Sequence, residues 1–91
     1  KLNQSFNSTS TRTQGLWSNY RDNNDNAFIA LKGSDLNVGS GSTGSIQVRL
    51  EGRSTVLVAG TDYIHTSTRS WNAGTWYHLV LTWDGLSAAN I

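Results

Sequence analysis

The chain has 91 residues, of which 36% are hydrophobic, and its seven Lys or Arg and six Asp or Glu give a formal net charge of +1. A chain of this length supports one domain with a thin core, so the four Trp, three Tyr and two Phe have to supply much of the buried apolar area. The basic residues form no run, and no apolar stretch approaches the roughly 20 residues that span a bilayer, so neither a nucleic-acid partner nor membrane insertion is expected.

The first half of the chain predicts short β-strands joined by polar loops. Residues 1–13 are expected to form a polar connector, because Ser, Thr and Asn dominate them and leave little surface to bury. Strands are predicted at residues 14–20 and 27–32, on either side of an Asp- and Asn-rich turn, and at residues 45–51. The last of these alternates apolar and polar residues, which predicts a strand whose exposed face carries Gln47.

The second half predicts a hairpin and then a long apolar strand. A turn at Gly52 and Arg53 is expected to lead into a strand over residues 55–59, and a shorter strand is expected over residues 62–66. Residues 75–83 have few polar interruptions, which predicts a central strand covered on both faces. No segment keeps apolar residues at helical spacing for long enough to predict a helix. The predicted fold class is therefore all-β.

A few large side chains are expected to anchor the core. In the strand over residues 75–83, alternate side chains share a face, so four of them are predicted to point together into the space between two stacked sheets. The predicted core anchors are Trp17, Trp76, Tyr77, Leu79, Leu81 and Trp83.

The segment 70–85 carries the most specific pattern in the chain. A small-residue turn at Gly74 precedes Trp76, His78 and a run of aliphatic residues, and a Trp83-Asp84-Gly85 turn follows. In this the chain resembles the LamG, pentraxin and concanavalin-A-like lectin superfamily. The resemblance implies an antiparallel jelly-roll β-sandwich in which residues 1–91 form the central part of a single LamG-like module. It also implies that other segments or other copies cover the open sheet edges.

Two groups of residues are candidates for sugar binding, which needs an exposed aromatic ring flanked by amide or charged side chains. The first is Trp71 with Asn72 and Arg69, and the second is Tyr20 with Asn19. The alternative for Trp71 is that it covers the core, which is the commoner role of a Trp in a loop.

The acidic residues offer a candidate calcium site. Asp22, Asp25 and Asp62 would supply the oxygen ligands from neighbouring loops, as calcium sites at the sandwich rim do in proteins that this chain resembles. An EF-hand is excluded, because Ala27 stands at the position of the required Gly and Gly33 at that of the bidentate Glu. The alternative is a solvated hairpin turn.

The sequence predicts a binding protein and not an enzyme. Glycoside hydrolysis ordinarily uses a facing pair of carboxylates, whereas Glu51 is the single glutamate and no nucleophile elbow or phosphate-binding glycine loop is present in the sequence. The leading hypothesis is a non-catalytic carbohydrate-binding or adhesion module of an extracellular, cell-surface or virion-surface protein, with a glycan or a surface protein as partner. The alternative is a structural decoration, fibre or appendage domain that assembles with itself or with a scaffold.

Overall fold

The computed structural model describes residues 1–22, 25–36, 42–51 and 63–84. These residues form six strands, and none of them is helical. The strands are β1 (Phe6–Asn7), β2 (Gln14–Asp22), β3 (Asp25–Leu31), β4 (Ile46–Glu51), β5 (Tyr63–His65) and β6 (Ser70–Trp71). No helix long and apolar enough to cross a membrane occurs in these ranges.

The larger sheet is an antiparallel meander in which β2, β3, β4 and β5 lie side by side in chain order. The strands predicted at residues 14–20 and 27–32 are confirmed as β2 and β3, although both extend further into the predicted turn, so that Asp22 lies opposite Asp25. A register shift between Gly15 and Trp17 marks a bulge in β2. The strand predicted over residues 62–66 is observed as β5. The all-β, antiparallel fold class is therefore confirmed.

The smaller sheet corrects the prediction that residues 1–13 are only a polar connector. Phe6 in β1 lies opposite Trp71 in β6 and is 2% exposed. Residues 10–13 cross directly over the end of β3, where the amides of Ser34 and Asp35 donate to the carbonyls of Ser10 and Thr11. The segment is therefore held by the pairing of Phe6 with Trp71 and by hydrogen bonds to the end of β3, and local composition gives no sign of these distant partners.

The core lies where the two sheets meet. Its buried members are Phe6, Leu31 and Ile46, and the partly buried side chains packed against them are Leu2, Ile29 and Trp71. The prediction that six other side chains anchor the core is wrong. Their exposed fractions are 53% for Trp17, 78% for Trp76, 40% for Tyr77, 43% for Leu79, 40% for Leu81 and 46% for Trp83.

The physical reason for this correction is that residues 75–84 belong to no strand in the described part of the chain. The prediction expected this segment to be central and expected residues 45–51 to be half exposed. Instead, β4 is buried on both faces, with Val48 at 6% on one face and Gln47 at 0% on the other. Alternation along a strand shows which face is polar, but not whether another layer covers that face. The predicted turn at Gly52 and Arg53 and the strand over residues 55–59 lie outside the described residues.

Candidate functional site

The indole of Trp71 is half-buried over the junction of the two sheets. Its Nε1 donates a hydrogen bond of 2.7 Å to the carbonyl oxygen of Gly44. The Tyr77 ring meets it edge-on, with 5.2 Å between ring centroids and 81° between ring planes. Core packing and this hydrogen bond both engage the indole, which is the arrangement expected of a lid on the core.

The loop that ends at Gly44 fastens the small sheet to the start of β4. The φ angle of Gly44 is +92°, and a Cβ atom there would lie 2.6 Å from the carbonyl carbon of Asn7 and 2.7 Å from the carbonyl oxygen of Arg69. The guanidinium Nε of Arg69 donates to the carbonyl oxygen of Thr43 at 2.8 Å. Only a residue without a side chain fits between these two backbones.

A tight turn after β6 sets the direction of the segment that follows. The amide of Asn72 donates to the Tyr77 hydroxyl oxygen at 2.7 Å, and the amide of Gly74 donates to the Leu2 carbonyl oxygen at 2.8 Å. The side chains of Asn72 and Arg69 are exposed beside the half-buried Trp71. The structure therefore brings together the first group of sugar-binding candidates, but the ring of Trp71 is the least available part of the group.

The second group of sugar-binding candidates lies elsewhere on the larger sheet. Asn19 in β2 is exposed and pairs with Ala27, and Tyr20 pairs with Asn26. Ala27 is four residues from Leu31, the β3 residue in the core, so the two groups are separated by roughly 13 Å along the strand. They do not form one site.

The calcium candidates are only partly brought together. Asp22 and Asp25 are register partners at the end of the β2–β3 hairpin, and Asp62 lies outside the described residues. The calcium site therefore stays a prediction.

Sequence reasoning missed a buried lysine at the end of β3. Lys32 is 2% exposed, and its Nζ donates to the Gly33 carbonyl oxygen over a long 3.5 Å contact. Burial lowers the Lys32 pKa because it strips water from the ammonium group; the nearby Asp35 carboxylate acts in the opposite direction and Arg69 in the same one. Nothing in the local sequence distinguishes this lysine from a surface residue.

The Asp35 carboxylate closes a small polar cluster beside Lys32. Its Oδ1 accepts hydrogen bonds from the Thr13 hydroxyl at 2.6 Å and from the Thr13 amide at 2.8 Å. The hydroxyl bond is the main reason that the Asp35 pKa lies below its ordinary value. The Gly33 amide in turn donates to the Thr13 hydroxyl oxygen at 3.0 Å, so this cluster holds residues 10–13 against the end of β3.

The most conspicuous surface feature is a set of large apolar side chains in contact with water, which we call the apolar surface. Residues in the bulged part of β2 supply two members, and residues 76–83 supply the rest. Its members are Leu16, Trp17, Trp76, Tyr77, Leu79, Val80, Leu81 and Trp83.

Two apolar clefts separate residues 77–82 from the larger sheet. The first has a volume of about 120 Å³. It is lined by Lys1, Leu2, Leu16, Leu31, Ile46, Trp71, Tyr77 and Leu79. The second has a volume of about 350 Å³ and lies between the segment and strands β4 and β5. It is lined by Ile46, Val48, Ile64, His65, Thr66, Leu79, Val80, Leu81 and Thr82. The segment therefore lies across the sheet without closing onto it.

The segment keeps a strand-like alternation of side chains without a strand partner. Tyr77, Leu79 and Leu81 are 40–43% exposed, whereas Trp76 and Val80 between them are 78% and 69% exposed. The described part of the chain offers no backbone hydrogen-bond partner to residues 76–82. No Asp, Glu, Lys or Arg occurs between Arg69 and Asp84.

Comparison of the chain with protein-family models, with curated proteins and with solved protein structures found no match.

Proposed function

We propose that the chain is a non-catalytic β-sandwich module that assembles through its apolar surface with other copies or with a scaffold. The observation that supports this is the exposure of eight large apolar side chains, each at least 40% exposed, on a chain of 91 residues. Contiguous apolar patches beyond a few hundred Å² are uncommon on monomeric proteins and mark interaction sites. Assembly would remove these side chains from water, and none of the eight carries a charge.

The distribution of polar groups favours the same proposal. The apolar clefts are bordered mainly by aliphatic and aromatic side chains. The meeting of two antiparallel sheets over one core is compatible with a LamG-like jelly roll that a partner completes. We place such a module on an extracellular, cell or virion surface, where repeated structural domains assemble.

Carbohydrate binding is the second candidate, and one observation favours it. The Trp76 ring is 78% exposed, which is the largest exposed fraction among the large apolar side chains. A free indole is a suitable platform for stacking on a sugar ring. A glycan array comparing the unmodified chain with a Trp76→Ala variant tests this candidate; binding that the substitution leaves unchanged would rule out this ring as the platform.

The assembly proposal is tested with a matched pair of substitutions in β2. Trp17 and Ser18 are adjacent and exposed, but they point to opposite faces of the sheet. We expect Trp17→Lys to reduce both the binding of an apolar fluorescent dye and the concentration-dependent association seen by sedimentation velocity, and Ser18→Lys to change neither. A chain that shows no dye binding and no association would contradict the proposal.

A further inference from the structure

We propose that residues 76–82 pair in antiparallel fashion with the same residues of a second copy, about a two-fold axis that passes through Leu79. This inference rests on the proposed assembly function and identifies the partner. It makes the segment an edge strand that a second copy completes, as strand addition does at other exposed edges.

The first argument is the backbone of the segment. Residues 76–82 find no backbone hydrogen-bond partner among the residues that the structure describes. Trp, Tyr, Leu, Val and Thr make up most of this segment, and all but Leu are residue types enriched in strands. Exposed edges are normally protected by charged residues or by Pro. This edge has neither, because the chain contains no Pro and residues 70–83 contain no Asp, Glu, Lys or Arg.

The second argument is the register. Pairing about Leu79 places Leu79 opposite itself and Tyr77 opposite Leu81 of the second copy, so the less exposed side chains form one continuous apolar row. On the other face, His78 lies opposite Val80 of the second copy. This register uses all seven residues of the segment, whereas a shift of the axis to Val80 would place Trp76 opposite Asp84.

The third argument is the area available. A complete large apolar or aromatic side chain has roughly 150–250 Å² of surface, so the exposed fractions of the eight side chains amount to roughly 800 Å². A specific protein–protein interface of standard size buries about 800 Å² on each partner. The exposed area of these side chains is therefore of the size that one partner contributes to a standard interface.

Single cysteines test the register directly, since the chain has none of its own. Directly opposed residues have Cβ atoms about 4.5–5.5 Å apart, close to disulfide geometry. We expect Leu79→Cys to form a covalent dimer several-fold faster than Val80→Cys under mild oxidation. Random collision would give the reverse order, because Val80 is 69% exposed and Leu79 43%. A mixture of His78→Cys and Val80→Cys chains should form the mixed dimer in preference to either symmetric one.

A measurement on the unsubstituted chain protects the test against misfolded variants. In a mixture of isotope-labelled and unlabelled chains, we expect intermolecular nuclear Overhauser effects between the Tyr77 ring and the Leu81 methyl groups. A dimer that lacks these effects, and in which Leu79→Cys cross-links no faster than Val80→Cys, would overturn the register while leaving assembly through the apolar surface intact. A chain that binds the apolar dye but sediments as a monomer would overturn the second copy as partner without removing the proposed function.

Discussion

The indole Nε1 of Trp71 and the carbonyl oxygen of Gly44 are joined by a 2.7 Å hydrogen bond across 27 residues of sequence. The bond connects β6, in the smaller sheet, to the loop that enters β4, one of the two inner strands of the larger sheet. Because Trp71 also lies opposite Phe6 and packs on the core, this single side chain contributes to both sheets at once.

Substitution of Trp71 should therefore affect stability before it affects any binding. We expect Trp71→Phe to lower the free energy of unfolding by about 1 kcal/mol through loss of the hydrogen bond, and Trp71→Ala by roughly 3 kcal/mol through additional loss of packing. The measurement is chemical denaturation followed by circular dichroism.

Trp76→Ala is the control for this substitution. Because its ring is largely exposed, its removal should change the free energy of unfolding of the dilute, unassociated chain by less than about 0.5 kcal/mol. Equal effects at Trp71 and Trp76 would show that Trp71 is not a lid. A loss of sugar binding at Trp71 without a loss of stability would restore Trp71 as a stacking platform.

Gly44 should not tolerate a side chain. An alanine there would combine an unfavourable φ of +92° with backbone atoms 2.6–2.7 Å from its Cβ, and rigid backbone cannot give way as a side chain does. We expect Gly44→Ala to lower the free energy of unfolding by more than about 3 kcal/mol, measured by thermal and chemical denaturation.

Gly74 provides the matched control, because its φ is also positive, at +73°, but nothing lies within 4 Å of its Cβ position. Gly74→Ala should therefore cost only the backbone strain of about 1 kcal/mol. If both substitutions had the same effect, the close approach of Asn7 and Arg69 to Gly44 would not be a feature of the protein in solution.

The larger sheet could be predicted from sequence because its signals are local. Strands β2 and β3 flank a turn dense in Asp and Asn, and β4 and β5 are bounded by changes in composition. The burial of Phe6 could not be predicted, because it depends on pairing with Trp71 far along the chain. Local sequence patterns indicate where strands form and which of their faces is polar. Which segment is buried depends on contacts with residues far along the chain.

The same distinction explains the outcome at Leu79 and Gln47. Leu79 was expected inside because its segment is apolar, and Gln47 outside because it is polar, but the described chain covers Gln47 and leaves Leu79 43% exposed. The sugar-binding candidates near Trp71 were found from aromatic and amide composition. The alternative role of Trp71 as a lid depends on Gly44, which the sequence presents only as one of nine glycines.

The Thr13–Asp35 pair should be visible in the titration of Asp35. Because the Thr13 hydroxyl and amide hold the Asp35 pKa below its ordinary value, we expect Thr13→Val to raise that pKa toward the ordinary value. The carboxyl group is followed by NMR titration. Its folded pKa is depressed, so its stabilising contribution is present above the unfolded pKa and is lost as the pH falls through the folded pKa.

Thr11→Val is the control for this titration, because Thr11 contacts Asp35 only through its backbone carbonyl, which accepts from the Asp35 amide. It should leave the Asp35 pKa where it is. A Thr13→Val variant whose Asp35 titrates as in the unsubstituted chain would show that the hydroxyl is not the cause of the shift.

Replacing the buried Lys32 by an uncharged residue should stabilise the protein. Its ammonium group is buried with one long hydrogen bond to Gly33, so the folded state disfavours the protonated form and the pKa is lowered. This cost is present in full below the folded pKa. It is relieved as the pH rises from the folded pKa toward the higher unfolded pKa. Over this range the unfolded chain holds the Lys32 proton more tightly than the folded chain does, so the free energy of unfolding rises with pH.

We therefore expect Lys32→Met, which keeps the length of the side chain, to raise the free energy of unfolding by about 1 kcal/mol at neutral pH. The gain should shrink at alkaline pH, where Lys32 itself becomes neutral in the folded chain. Chemical denaturation across this pH range measures the effect, and Lys1→Met, at an exposed position, should produce no comparable gain. A Lys32→Met variant that is destabilised at every pH would contradict this prediction. It would mean that polar contacts of the ammonium group outweigh its loss of water, so that the folded state raises the Lys32 pKa instead of lowering it.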